Sequence, residues 1–172
     1  VGIGGTSHIN MVLFETMGFG KPLEQTPLLL TPGTLEFGWG GTLRLLAQGL
    51  GVTLEGITSE YEKRPVVRPI SVCGRVLRPG TMGGLRFKVR GMIAGRAAII
   101  VEHVTRLDDE LAPDWPSGNG SYRVIVEGFP RMRCELEFED EQGDHAVGGV
   151  VLTATRIVNA IPAVCAAGPG VL

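Results

Sequence analysis

Strict alternation of apolar and polar positions marks the middle of the chain. Leu85, Phe87, Val89 and Ile93 fall on one side of residues 85–93, with Arg86, Lys88 and Arg90 on the other. That is the period of a half-buried strand. Residues 97–107 continue as a second strand. A three-residue loop, Ala94-Gly95-Arg96, sets Val89 opposite Val101, Phe87 opposite His103 and Leu85 opposite Thr105, and places Lys88 against Glu102 as an ion pair. A two-residue loop shifts parity and sets Val89 against Glu102, so three residues are expected. Residues 122–127 alternate around Tyr122, Val124 and Val126. Residues 131–139 set Met132, Cys134, Leu136 and Phe138 against Arg131, Arg133, Glu135, Glu137 and Glu139, with Gly128-Phe129-Pro130 as the turn between the two. Residues 52–64 and 69–76 read as two further strands.

Helical spacing appears twice. Leu35, Trp39, Leu43, Leu46 and Leu50 form the first series, with Thr31 as N-cap, Pro32 in the first turn, and Gly49 and Gly51 at the end. Gly38, Gly40 and Gly41 lie inside it, each costing about 1 kcal/mol against Ala. They imply close approach by another backbone or by a ligand. The second series is Val147, Val151, Ala154 and Val158, capped by Asp144. Pro162 has no N–H to donate, so a kink or break is expected over residues 159–162, with Asn159 capping a new turn.

Residues 1–30 are irregular, and 31–172 read as a single domain. Segregated strands and helices give an α+β class: a mostly antiparallel five- or six-stranded sheet with two main helices packed on one face. The other face mixes charges with Ile100 and Val104, which fits partial burial against a partner subunit. Residues 108–120 form a connection long enough to be functional or interfacial, with Trp115 as a packing anchor.

Composition narrows the function classes. A chain of 172 residues is about one domain. Apolar residues at 44% and charged residues at 20% fit a soluble globular protein. Sixteen basic against eighteen acidic side chains leave no electrostatic footprint for nucleic acid or an anionic membrane. No apolar run long enough for a membrane span and no signal peptide is read, so a cytoplasmic protein is expected. Cys73, Cys134 and Cys165 have no metal-ligand spacing and read as buried small hydrophobes; no metal site is expected.

Val1-Gly2-Ile3-Gly4-Gly5-Thr6-Ser7 fails as a dinucleotide loop, because Ser7 stands where the third glycine belongs and no β–α–β unit follows. Two histidines carry the remaining chemistry. His103 shares the Phe87/Val101 face and is either a satisfied core residue or a hydrogen-bonding pocket residue. His145 opens the last helix and is either a solvated residue beside a plain cap or a ligand-facing group. His8 is expected in solvent.

Several stretches resemble one family. Val101-Glu102-His103-Val104-Thr105-Arg106-Leu107, Leu111-Ala112-Pro113-Asp114-Trp115-Pro116, Gly143-Asp144-His145 and Val158-Asn159-Ala160-Ile161-Pro162-Ala163-Val164-Cys165-Ala166-Ala167 resemble the C-terminal half of the dihydrodipicolinate-reductase-like oxidoreductases. That family includes 2,4-diaminopentanoate dehydrogenase and the native amine dehydrogenases. Gly168 departs from the second proline usual before Pro169-Gly170. The resemblance implies a substrate-binding and dimerisation domain whose partner is an N-terminal Rossmann domain for NADP or NAD. It implies a homodimer through the sheet and a small amine or carbonyl substrate. It places Asn159, Ile161 and Pro162 against the nicotinamide end of the cofactor, and Asp144 and His145 near the interdomain cleft. Trp39, His103 and His145 are the expected substrate-pocket residues. The catalytic acid is expected in the Rossmann domain, so this chain alone is expected neither to catalyse nor to hold the cofactor tightly. The alternative is a free-standing, non-catalytic binding or scaffold module.

Overall fold

A computed structural model describes residues 11–116, 118 and 120–170. The opening glycine-rich stretch and His8 lie outside the described residues. Contacts divide the chain into two compact units, Val1–Pro116 and Ser117–Leu172. The first holds α1 (Thr34–Gly49), β1 (Gly56–Pro65), β2 (Ile70–Val72), β3 (Arg75–Leu77), β4 (Met82–Ile93) and β5 (Arg96–Arg106). The second holds β6 (Tyr122–Val126), β7 (Met132–Leu136) and α2 (His145–Ala166).

The class is α+β, and every strand pair is antiparallel. The strands do not join into one sheet of five or six. They form β1-β4-β5, β2-β3 and β6-β7. One cause is local. Residues 69–76 fold back on themselves at Cys73-Gly74, where both φ angles are positive (49° and 73°), the geometry of a tight two-residue hairpin. α1 covers the inner face of β1-β4-β5; α2 belongs to the second unit.

The expected β4–β5 register holds: Val89 faces Val101, Phe87 faces His103 and Leu85 faces Thr105, with Lys88 opposite Glu102. The turn differs. Ile93 faces Arg96, so the loop is Ala94-Gly95, at φ 50° and 70°. A bulge beside Gly91/Met92 adds one residue to β5 and restores the parity that a two-residue loop alone would lose. The Glu55 carboxylate accepts from both loop amides, Ala94 at 2.8 Å and Gly95 at 2.9 Å.

α1 begins at Thr34, not after Thr31, with Gly33 before it at φ 83°. The Thr31 hydroxyl is engaged by the preceding turn, donating to the Leu28 carbonyl at 2.8 Å. At the other end Val52 N–H reaches the Ala47 carbonyl and Gly51 N–H reaches that of Gln48, a Schellman closure with Gly51 left-handed. The buried face is Leu35, Gly40, Leu43 and Ala47, with Trp39 partly buried, while Leu46 and Leu50 are exposed. Of the three interior glycines only Gly40 meets the sheet. A Cβ there would lie 3.3 Å from Ile57 Cδ1, whereas Gly38 and Gly41 face open space. The core gathers Leu43, Leu85, Phe87, Val89, Val66 and Met82, and the irregular stretch before α1 adds Phe14 and Phe19.

The outer face of β1-β4-β5 carries cross-strand ion pairs: Glu60 with Arg90, Glu62 with Arg86, and Glu102 with Arg86 and Lys88. Ile100, on the same face, is exposed.

In the second unit, β6 and β7 pair from Tyr122↔Leu136 to Val126↔Met132. Asp144 caps α2 as expected, its carboxylate accepting from Val147 N–H at 3.3 Å. The expected break is absent: α2 runs through Pro162 to Ala166. Proline removes one ladder bond, to the Val158 carbonyl, and the alanines at 160, 163 and 166 favour propagation around it. By length and composition alone, Val147–Ala166 is long and apolar enough to cross a membrane, contrary to the run-length reading. Thr153, Thr155, Arg156 and Asn159 break the run into shorter apolar pieces, which hides it from inspection. The cysteines also differ from expectation: Cys73 is half-buried, Cys134 and Cys165 are exposed. Cys73 occupies a turn, and the other two lie on elements whose apolar faces are uncovered among the described residues.

Candidate functional site

Three side chains converge on the inner face of the first unit. Phe87, centred on β4, is 1% exposed. The Trp39 ring from α1 meets it edge-on at 4.7 Å, and the His103 ring from β5 stacks on it at 4.9 Å with 17° between planes. Trp39 and His103 are thus brought together, with Phe87 as the shared surface. Alternation places Thr105 two residues beyond His103 on the same face, and its Oγ1 lies 2.6 Å from His103 Nε2. Thr105 and Phe87 were not singled out as site residues. The i, i+2 relation to His103 and the cross-strand register were the signals that could have found them.

Burial holds the His103 pKa below its ordinary 6.5. Around neutral pH the ring is neutral, able to accept or donate one hydrogen bond at Nε2 according to its tautomer. The stability consequence has a definite sign. The unfolded chain binds this proton more readily than the folded one, so the contribution of neutral His103 is complete above about 6.5 and lost as pH falls below it. Urea midpoints should therefore drop between pH 7 and pH 5, and His103→Gln should flatten that slope. An unchanged slope in the variant would show that His103 does not carry the effect.

The second unit holds the other predicted residues. His145 is half-buried at the first position of α2, against Gly120: a Cβ there would sit 2.5 Å from His145 Cδ2, and Gly120 has φ 64°. Asn159, Ile161 and Pro162 are exposed further along the same helix. His145 and Asn159 are fourteen steps apart along the helix, about 21 Å at 1.5 Å per residue, so α2 does not bring them together.

Beside α2 lies a cleft of about 500 Å³ lined by Phe138, Glu139, Asp140, Gly148, Leu152 and Thr155, among others. At its edge Gly148 lets α2 pack directly on the chain at residues 138–139: a Cβ there would be 2.7 Å from the backbone of Glu139. Gly148, Leu152, Thr155 and Asn159 follow i, i+3/i+4 spacing, so the cleft wall and Asn159 share one face of the helix. Glu139 was missed because it ends an apparently regular alternating run over residues 131–139, whereas β7 ends at Leu136. Among the described residues no cluster of three or more metal-ligating side chains occurs.

Residues 7–172 match the family described as the 2,4-diaminopentanoate dehydrogenase C-terminal domain. An amine dehydrogenase of Streptomyces virginiae is 36% identical over 161 residues, covering 90% of this chain. The chain spans 44% of that relative's length.

Proposed function

The chain belongs to the 2,4-diaminopentanoate dehydrogenase C-terminal domain family, and from this we propose that it is the substrate-binding and dimerisation domain of an NAD(P)H-dependent oxidoreductase acting on amines and their imine or carbonyl partners. The match over residues 7–172 carries the reading. The Trp39–Phe87–His103 cluster supports it: the enclosed Phe87 ring fixes two partly buried side chains, an apolar indole and a neutral imidazole, the chemistry that orients a small amine or carbonyl.

The described residues do not fit a dinucleotide. All their strand pairs are antiparallel, so no parallel strand–helix–strand unit cradles a pyrophosphate. We assign NADP or NAD to a Rossmann domain in the rest of the protein. The roles of this chain are then local. Trp39 excludes water from the substrate's apolar part, held in place by the enclosed Phe87 ring beneath it. His103, held by Thr105, hydrogen-bonds its polar atom. His145, in the first turn of α2, is the ligand-facing group toward the cofactor-bearing domain. Asn159, Ile161 and Pro162 present the exposed end of α2 to the cofactor-bearing domain. A cytoplasmic homodimer through the sheet completes the proposal; Ile100 exposed among the paired charges of the outer face supports that contact.

The test uses the protein that carries this chain together with its nucleotide-binding half. Oxidation of a primary amine with NAD(P)⁺ is expected. Trp39→Ala and His103→Ala should raise the amine KM about tenfold, the scale of one or two lost contacts, without changing the dinucleotide KM. The isolated chain should bind NADPH only weakly in calorimetry. Tight binding, or turnover by the chain alone, would refute the reading.

A further inference from the structure

β7 is an edge strand. Its one partner among the described residues is β6, and all five of its residues are exposed. Uncovered edges of this kind invite pairing with another chain. The sequence through it is ordered in a particular way. Along Arg131, Met132, Arg133, Cys134, Glu135, Leu136 and Glu137, apolar side chains alternate with charged ones, and the charges run plus, plus, minus, minus. Turned end for end about Cys134, the segment is its own electrostatic complement. Arg131 falls opposite Glu137, Arg133 opposite Glu135, and Met132 opposite Leu136. Because every paired position has the same parity, apolar meets apolar on one face and opposite charges meet on the other.

Glu135 is already paired within the hairpin, with Arg123 on β6 and with Arg133, so the partner's Arg133 would join an existing cluster; the other charges are freer. Arg131 and Arg133 are more than half exposed in their pairs with Glu127 and Glu135, pairs of a kind that exchange readily in water. No cation pairs with Glu137 among the described residues. The apolar face of the hairpin is equally uncovered: Tyr122, Val124, Met132 and Leu136 are each about half exposed.

We propose that β7 pairs antiparallel with β7 of a second copy of this chain across a two-fold axis at Cys134, joining two β6–β7 hairpins into a continuous four-stranded sheet. The contact is isologous, as a two-fold requires. It rests on the reading that the chain forms a homodimer, and it adds a specific edge to it. A strand of a different protein as occupant would give β7 no reason to be its own charge complement.

The register makes a sharp test possible. Residues directly opposite in antiparallel strands have Cα atoms about 4.5–5.5 Å apart, inside the roughly 4.4–6.8 Å that a disulfide spans. Mild oxidation of the full chain should give a covalent dimer on a non-reducing gel. Cys134→Ser should abolish it, and Cys73→Ser and Cys165→Ser should not. In sedimentation velocity, Arg131→Glu/Arg133→Glu and Glu135→Arg/Glu137→Arg should each associate more weakly than the wild type, by about tenfold or more, and an equal mixture should recover wild-type association. Recovery of the mixture also shows that both variants fold. A wild-type dimer that neither cross-links at Cys134 nor responds to charge reversal would overturn the β7 contact and leave dimerisation through the other sheet standing. A wild-type chain that stays monomeric would overturn both.

Discussion

Phe87→Ala should lower the free energy of unfolding by about 3–5 kcal/mol, the range for deleting a buried aromatic ring. The ring is fully enclosed, and two neighbours depend on it: Trp39 loses its edge-to-face partner and His103 its stacking surface. Such aromatic pairs add about 0.5–1.5 kcal/mol beyond area alone, which puts this site toward the upper end. The cavity cannot close easily, because β4 is the central strand, fixed by β1 on one side and β5 on the other. Phe87→Leu keeps much of the volume and should cost clearly less. Urea unfolding measures both. Near-ultraviolet dichroism should also change in the alanine variant, since Trp39 loses its fixed environment. A loss below about 1 kcal/mol would mean that the three rings do not form one packed unit, and the substrate-facing role given to Trp39 and His103 would fall with it.

The β4–β5 pair was legible because one face had to be buried: only one register places Phe87, Val89 and Leu85 with apolar or neutral partners. The turn was not. Parity excludes a two-residue loop only when both strands are regular, and nothing in Ala97-Ala98-Ile99 announces a bulge. The hairpin of residues 69–76 was misread as one strand because the positive φ at Cys73 is unusual for a non-glycine residue. Gly74 alone was the available sign. Asp144 was readable as a cap because a carboxylate just before a helical apolar series has few other uses. The uninterrupted passage of α2 through Pro162 was not, since a proline's cost is local and the residues around it decide whether the helix continues. The His103 environment was half legible. Alternation gave its face and its opposite number Phe87, but the Trp39 contact depends on how α1 lies across the sheet, which no spacing within either element specifies. The division of strands into three sheets lies at the same level: it is tertiary, and local patterns are silent on it.

Trp115→Ala should be the other severe substitution in the first unit, again about 3–5 kcal/mol. Trp115 is 2% exposed although it lies in a connection rather than in a strand or helix. It sits on the outer face of the sheet where Gly84 leaves room: a Cβ at Gly84 would be 3.2 Å from the Trp115 ring and equally close to Arg64 Cβ. The Arg64 guanidinium lies 5.0 Å from the ring centroid, and the indole N–H donates to Glu62 at 3.4 Å. Arg106 fastens the backbone from the other side, donating to the carbonyls of Ala112 at 3.0 Å and Trp115 at 3.4 Å. The loop is thus packed onto the outer face of the sheet, with Leu111 and Ala112 also buried. Without the indole, Arg64 and Glu62 lose their common surface and Arg106 holds a backbone that no longer has a reason to stay. Limited proteolysis should then cut within residues 108–116, where the wild type resists. Trp115→Phe should keep most of the stability, since it retains a ring over Gly84 and loses only a long hydrogen bond. Gly84→Ala should weaken the fold by a smaller amount and in the same place, by lifting the indole. If Trp115→Ala were as stable as the wild type and as resistant to protease, the loop would have to be held by its ion pairs alone, which exposed pairs of this kind do not do.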